Sequence, residues 1–600
     1  MDLRFRDAEP TEAERAAVDE LLGPPTSAWD GGTRDALRLA AGGHEARERR
    51  DMLLPALHAI NDRVGWISEG GLGYVCRRLT IAPAEAYGVA TFYAMFSVKP
   101  RPPRVVHVCT DIACRAAGSE DICRALEDSD APWHPSPCLG VCERAPAALA
   151  LDAGDPPRAT VLAPATADAI IAEDAPEESP AEAAVPQAGD DSLVLLRRIG
   201  VVDPDSLDSY RANGGYQALR RAFTLGPAEV IREVTDSGLV GRGGAAFPTG
   251  RKWDSTARQP DHPHYLVCNT DESEPGTFKD RVIMEADPYA VIEAMTIAGY
   301  ATGCAHGYIY LRGEYPRCLR RLENAITRAR ERGLLGERIL GHDYAFDIEV
   351  RRGAGAYICG EETAIFNSIE GYRGEPRSKP PFPVEKGLFG KPTVVNNVET
   401  LVNVLPILTD GAQAYAGSGT DRSTGTKLFC LSGTVRRPGL YELPFGATLR
   451  DLLELAGGVP EGRTLRAVLL GGAAGSFVGP DELDVPLTFE GTREAGTTLG
   501  SGVILACDDS VDLGGVLLRI AAFFRDESCG QCVPCRVGTV RQEEALQRLA
   551  RGVDGDADIA LLREVGAAMR DASICGLGQT AWNAVESAID RFPVFTGEGA

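Results

Sequence analysis

Residues 351–371 read RRGAGAYICGEETAIFNSIEG: a short extended run, a glycine-rich turn, and a helix that starts near Glu361. A helix beginning straight after such a turn offers unpaired backbone N–H groups and the positive end of its dipole, a ready place for an anion. Upstream the same alternation recurs. The β-like runs HYLVCNTD (264–271), GYIYLRG (307–313) and AFDIEVRRG (345–353) take turns with the helical runs ADPYAVIEAMTIAGYATG (286–303) and CLRRLENAITRARERGL (318–334). Alternation of that kind predicts an α/β domain.

Three further segments of this region carry candidate ligand chemistry. SGLVGRGGAAFPTGRKW (237–253) contains Gly241, Gly243 and Ala246, which fit G-x-G-x-x-A. The residues before it read as a helix, whereas the Rossmann fingerprint needs a strand there, so a standard site of that type is not expected. Glycine-rich backbone can still approach a phosphate or a flat ring closely, with Arg242 and Lys252 adding positive charge. VCNTDESEPGTFKDR (267–281) turns polar directly after an apolar strand, where ligands of α/β sheets collect. Asn269, Asp271, Glu272, Ser273 and Glu274 offer amide, hydroxyl and carboxylate partners there, although a solvated loop would have the same composition. SKPPFPVEKGLFGKPTVVNNVETL (378–401) supplies Lys379, Phe382, Asn396 and Asn397.

Outward from this domain the character of the chain changes. EDAPEESPAEAAVPQAGDD (173–191) is acidic, rich in Ala and Pro and poor in large apolar groups, and reads as a linker between a small first unit and a large second one. Before it, Leu53, Leu54, Leu57, Ile60 and Val64 follow helical spacing, and short helices run on to about Phe96. Pro100, Pro102 and Pro103 break that pattern ahead of the β-like run Val105–Val108. Residues 1–45 lack a sustained apolar period and are expected to be a loosely ordered extension. After the α/β region, Lys427–Ala506 switches to short strands with glycine-rich turns and one helix (TLRDLLELAGG), and from Leu513 the reading is helical.

At 600 residues the chain needs several cores. A formal charge of -24 argues against nucleic acid, since a polyanion would be repelled. No run of about eighteen apolar residues occurs, and the charged N-terminus is no secretory signal, so a cytoplasmic protein without membrane insertion is expected. Sixteen cysteines in that reducing compartment are read as including metal ligands rather than a disulfide framework.

Cys529, Cys532 and Cys535 stand in ESCGQCVPCRVG, and Cys575 follows in SICGLGQT. A C-x2-C-x2-C run turns three thiolates into one pocket, and a distant fourth completes a [4Fe-4S] site. Gly530 and Gly538 are expected to give this loop its turns. Cys109 and Cys114 (C-x4-C) with Cys138 and Cys142 (C-x3-C) suit a [2Fe-2S] cluster with two ligands per iron. Zinc competes for both sets, more strongly for the second. The other eight cysteines read as small buried hydrophobes.

In their order, GRGGAAFPTGRKW, CNTDESEPGTFKDR, GAGAYICGEETA, KPPFP, GKPTVVNNVET and ESCGQCVPCRVGT resemble the 51-kDa-type, FMN- and NADH-binding subunit of respiratory complex I over about residues 195–595. LLPALHAINDRVGWI, PAEAYGVATFYAMF and the paired-cysteine segment resemble its 24-kDa-type [2Fe-2S] subunit over about 50–170. The resemblance implies an α/β multidomain chain. Its parts would be a helical bundle (46–100), a thioredoxin-like [2Fe-2S] domain (101–172), a linker (173–192), a Rossmann-like FMN and NADH domain (193–424), a ubiquitin-like SLBB domain (425–508) and a helical [4Fe-4S] domain (509–600). It implies FMN contacts at Gly241, Arg242, Gly243, Gly244, Lys252, Asn269, Asp271, Glu272, Ser273, Gly360, Glu361, Asn396 and Asn397. NAD(H) would meet Phe247, Glu274, Glu362, Lys379 and Phe382, and hydride transfer by FMN would require no acid–base residue. Two positions depart from the family pattern: Ala246 replaces a usual glycine, and Ser255 stands where an aromatic is common. Fused modules of this kind resemble the diaphorase subunits of NAD-reducing [NiFe] hydrogenases. The ending SICGLGQTAWNAV looks closer to formate dehydrogenase and NADP-reducing hydrogenase versions. The implied partners are iron–sulfur and molybdenum or tungsten formate dehydrogenase subunits, or hydrogenase subunits, with the NADH-input module of complex I and a non-catalytic scaffold as alternatives.

Overall fold

The structure is a computed structural model that describes residues 7–24, 49–174, 178–553 and 555–595. The Val-rich run Arg104–Cys109 forms strand β1, followed by β2 (Trp133–Ser136), β3 (Ala148–Asp152) and β4 (Arg158–Leu162). They make one sheet in the order β2-β1-β3-β4, parallel only between β1 and β2. Helices Leu53–Val64, Glu69–Leu79 and Pro83–Ala90 precede it and bury Leu53, Leu57, Ile60, Val75 and Val89.

The α/β region builds β5 (His264–Thr270), β6 (Cys304–Leu311), β7 (Asp347–Arg352) and β8 (Thr393–Asn397). All neighbours in this sheet are parallel, in the order β7-β6-β5-β8. The helix Pro288–Thr302 (PYAVIEAMTIAGYAT) has apolar groups all round and is buried on every side but Tyr300. No strand leads directly into Gly241. The glycines sit between helices Pro227–Asp236 and Thr249–Ala257, as the sequence requires of a site other than the standard Rossmann one.

Strands β9 (Thr426–Gly433), β10 (Gly439–Pro444), β11 (Leu465–Leu470), β12 (Ser476–Val478) and β13 (Val503–Asp508) form a mixed sheet around the helix Leu449–Leu455, with a small core of its own. Five helices then complete the described chain: Leu513–Glu527, Val533–Ala550, Gly555–Ala572, Gly576–Thr580 and Asn583–Arg591. None of the helices among the described residues is long and apolar enough to cross a membrane.

Three expectations change. The stretch 1–45 is not loose throughout: Glu12–Leu22 is a helix capped by Thr11 and Glu14 that buries Val18 and Leu22. Its apolar residues are too few to show a period, but two suffice to pack on the bundle. The remainder of 1–45 lies outside the described residues, apart from 7–11 and 23–24. Gly538 is not in a loop; it lies inside helix Val533–Ala550, where a Cβ would collide with Met569. The described part of the linker is docked. Ala181, Ala184 and Val185 are buried, Arg317 donates to the Ser179 carbonyl at 2.7 Å, and the Gln187 amide oxygen accepts from the Glu442 backbone N–H at 2.8 Å. One apolar core runs without a break from Val18 and Leu57 through Leu149 to Leu266 and Phe524, so both units share it.

Glu442 pins the segment that follows the linker. Its buried carboxylate accepts the backbone N–H groups of Val194, Leu195 and Leu196 at 3.0–3.2 Å and the Thr426 hydroxyl at 2.7 Å. Glu442→Ala should strand these donors, costing about 3 kcal/mol in urea unfolding and opening residues 185–200 to protease. Glu442→Gln, which keeps an acceptor, should lose less.

Candidate functional site

In the parallel sheet the chain moves outward from β5 through β6 to β7, then returns to place β8 on the other side of β5. Residues at and beyond the carboxyl ends of β5, β7 and β8 border a crevice there, where ligands of parallel sheets collect. A cleft of about 450 Å3 lies there, within the size range of small-molecule sites.

One wall is backbone with little side chain: Gly243, Gly244, Gly471 and Gly500. The rest of the lining is largely polar, with Asn269 near the end of β5, Asp271, Glu272, Ser273 and Glu274 after it, Gly360 and Glu361 after β7, and Asn397 at the end of β8. Asn269 ties two loops together, donating to the Gly360 carbonyl at 2.8 Å and accepting from the Asp271 N–H at 3.1 Å. Glu272 accepts the N–H groups of Asp280 and Arg281 at 2.8 and 2.9 Å, and burial pushes its carboxyl up to about 8. Burial pushes Glu274 up to about 7, where it accepts from the Tyr357 hydroxyl and from the Ala474 N–H at 2.8 Å. The Asp271 carboxyl is raised by burial as well.

Lys279, which no sequence pattern singles out, is fully buried at this cleft. It bonds Asp280 at 2.7 Å, Glu399 at 3.1 Å and the Asn397 side-chain oxygen at 3.1 Å. Thr277, Tyr357, Ala474, Thr498, Ser501, Leu577, Thr580 and Asn583 also line the cleft, several of them from the last two domains.

Other expected residues stand elsewhere. Arg242 is directed away from the cleft: its buried guanidinium donates to Tyr415 Oη at 2.9 Å and the Thr424 carbonyl at 2.7 Å, and lies 4.6 Å from the Phe445 ring centre. Asn396 accepts from the Trp253 indole at 2.9 Å, because neighbouring strand residues point to opposite faces and Asn397 takes the cleft side. Gly241 lies outside the lining and donates its backbone N–H to the Phe247 carbonyl at 2.9 Å. Phe247, Lys252, Glu362, Lys379 and Phe382 form no part of the cleft wall. Lys379 bridges the cleft residue Glu361 (2.9 Å) to Glu362 (2.7 Å), and Glu362 lies 3.9 Å from Lys252, whose ammonium is 5.8 Å from the Phe247 ring centre. Phe247 and Phe382 are exposed. Ala246 takes a left-handed conformation at φ 51°, which explains why glycine is usual there.

The cysteines gather in two quartets. Cys109 ends β1, Cys114 lies in the turn of helix Ile112–Ala116, and Cys138 and Cys142 follow β2. All four are buried; the Cys138 and Cys142 sulfurs are 3.4 Å apart, and the Cys109 thiol faces those of Cys114 and Cys138. In the second quartet Cys532 heads helix Val533–Ala550 and Cys575 heads Gly576–Thr580, with Cys529 and Cys535 beside them. Backbone N–H groups of Leu577 and Gly578 point at the Cys575 sulfur, and that of Gly140 at Cys138. Sulfurs gathered in fours, each set served by N–H donors, fit iron–sulfur clusters. Among the described residues no three or more His, Cys, Asp or Glu side chains are arranged around a single ion. Glycine backbone together with polar side chains in one cleft likewise fits a flavin ring and its polyol chain. Both quartets flank the cleft. Gly576 and Leu577, next to Cys575, line it, and Cys138 shares a small cavity with the cleft residues Ser273 and Tyr357.

This arrangement defines an electron-transfer flavoprotein module with two iron–sulfur centres. Residues 234–406 match the Nuo51 FMN-binding domain, 428–475 the SLBB domain, and 515–596 the iron–sulfur binding region of NADH-ubiquinone oxidoreductase-F. Residues 41–173 match the thioredoxin-like [2Fe-2S] ferredoxin family. The second F-type NADH-quinone oxidoreductase subunit of Rhizobium meliloti (strain 1021) is 46% identical over 401 residues, which are 66% of this chain and 95% of that one. The NADP-reducing hydrogenase subunit HndC of Solidesulfovibrio fructosivorans is 44% identical over 400 residues, covering 66% of this chain and 81% of that protein. A crystal structure of NAD+-reducing [NiFe]-hydrogenase superposes with a TM-score of 0.75 at 32% identity, over 90% of this chain and 92% of the other. The chain belongs to the family of F-type NADH-quinone oxidoreductase subunits, with a thioredoxin-like [2Fe-2S] domain fused ahead of the shared part. It is an NADH-dependent flavin and iron–sulfur oxidoreductase subunit.

Two outcomes follow from the cleft. Asn269→Ala should weaken FMN binding about tenfold, read by flavin fluorescence on titrating the flavin-free protein. For Glu274 the folded pKa lies above the unfolded one, so its stabilisation is complete below about pH 4.5 and lost as pH rises through about 7. On raising the pH from 5 to 8, the flavin-free wild type should therefore lose more thermal stability than Glu274→Gln, by up to about 3 kcal/mol.

Proposed function

We propose that the chain is the diaphorase subunit of a cytoplasmic, NAD-dependent formate dehydrogenase, exchanging electrons between NAD(H) and a partner that carries the terminal substrate chemistry. The placement of both thiol quartets against one cleft carries the electron-transfer reading. FMN, when bound, exchanges a hydride with the nicotinamide and single electrons with iron–sulfur clusters.

The chain's own residues supply position and charge. Gly243 and Gly244 give a ring close access to backbone, while Asn269, Asp271, Ser273 and Asn397 offer hydrogen bonds to the polyol and phosphate end. Lys379, held between Glu361 and Glu362, and the exposed rings of Phe247 and Phe382 form the approach where a dinucleotide would lie. Burial brings the Glu274 carboxyl, which meets Tyr357, up to about 7.

Cys529, Cys532 and Cys575 are partly exposed. Exposed Val533, Val537 and Val540, at helical spacing, run outward from Cys532. A partner protein seated there would receive electrons from [4Fe-4S]. The ending SICGLGQTAWNAV (573–585), which resembles the formate dehydrogenase and NADP-reducing hydrogenase versions alike, supports the formate dehydrogenase reading over the complex I one. A second reading, the diaphorase of an NAD-reducing hydrogenase, is favoured by the superposition that spans both units.

Cys532→Ala should retain FMN and NADH-driven ferricyanide reduction but lose the [4Fe-4S] signal and turnover with the native partner; unchanged partner turnover would reject this wiring. Purified with its native partners, the complex should reduce NAD+ with formate. Reduction with hydrogen alone would establish the second reading in its place.

A further inference from the structure

The ligand loops of the first unit are gripped by three arginines of the second. Arg519, in helix Leu513–Glu527, pairs with Asp111 at 3.2 Å, and the Asp111 carboxylate accepts the N–H groups of Ile112 (3.0 Å) and Cys138 (3.1 Å). Arg281 donates to the Gly140 carbonyl at 2.7 Å and to Glu143 at 2.6 Å. Arg312, the first residue beyond β6, donates to the Cys138 carbonyl and the Glu272 carbonyl, both at 2.6 Å, and to Glu314 at 2.9 Å.

The three differ in charge balance and in burial, Arg312 alone of them being both buried and paired with a single carboxylate. Arg519 has Asp111, and Arg281 has both Glu143 and Glu285. Among the described residues, Arg312 has only Glu314 within ion-pair distance, yet it is 2% exposed and lies directly on the peptide of a cysteine. Its Nε and the second Glu314 oxygen have no hydrogen-bond partner among those residues. A positive charge held out of water acts strongly on a neighbour that becomes more negative when reduced.

We propose that Arg312 sets the reduction potential of the [2Fe-2S] cluster from across the boundary between the units, while Arg281 and Arg519 hold its two ligand loops in register. The inference rests on the assignment of Cys109, Cys114, Cys138 and Cys142 to that cluster. Arg312 is a positioning and tuning residue; its charge favours the reduced cluster.

The test is an EPR-monitored redox titration of the full chain carrying both clusters. Arg312→Met should lower the ratio of reduced to oxidised [2Fe-2S] at fixed potential about tenfold, the scale of one charge at such range, with [4Fe-4S] unmoved as internal reference. Arg312→Lys should restore most of the shift. Glu314→Gln, which removes the balancing charge, should move the ratio the opposite way, and it decides the matter if Arg312→Met fails to assemble its cluster. A Glu314→Gln midpoint equal to wild type, with the Met variant either unshifted or devoid of cluster, would overturn the proposal. A wild type without any [2Fe-2S] signal would instead remove the assignment of the four thiols.

Discussion

Everything at the site depends on a topological constraint. Strands β5 and β8 are parallel neighbours while the chain crosses from β5 to β6 on the other side, so the residues at the carboxyl ends of β5 and β8 meet at one edge of the cleft. Backbone N–H groups and short polar side chains from both strands face that cleft, and later domains close it with glycines and small residues. Strand order thus sets where the cleft lies, and the later domains complete its shape.

Charge is used sparingly but deeply. Lys279, Lys427, Asp280 and Glu399 are buried together behind Asn397, with Lys427 bonded to Glu399 at 2.7 Å. Burial lowers the Lys427 ammonium to about 8. Such a cluster costs desolvation energy and tolerates the loss of no single member. It fixes the end of β8 to the helix Lys279–Ala286 and to β9, so the α/β and SLBB domains meet the cleft in one geometry.

The sequence was most legible where chemistry and local order coincide. Polar residues at and after an apolar strand, Asn269, Asp271, Glu272, Ser273 and Glu274, do line one cleft, and the cysteines grouped by spacing do lie together. It does not record side-chain direction: Arg242 points into the SLBB side of the core, and Asn396 and Asn397 diverge by strand alternation. It was silent on Thr498, Ser501, Leu577 and Asn583, because nothing local to those residues records which distant cleft they close. Lys279 stands inside the run CNTDESEPGTFKDR, but its burial among carboxylates is a tertiary fact. The Ala- and Pro-rich linker resembles free chain because its few apolar groups are small; Ala181, Ala184 and Val185 are nonetheless enough to hold it down.

That docked strap has a consequence for assembly. Two polypeptides meeting through the same surfaces would separate on dilution, each exposing half of a shared interior. Joined by a short tether already lying along its track, they cannot drift apart, and every copy carries its redox centres in a fixed one-to-one ratio whatever the expression level.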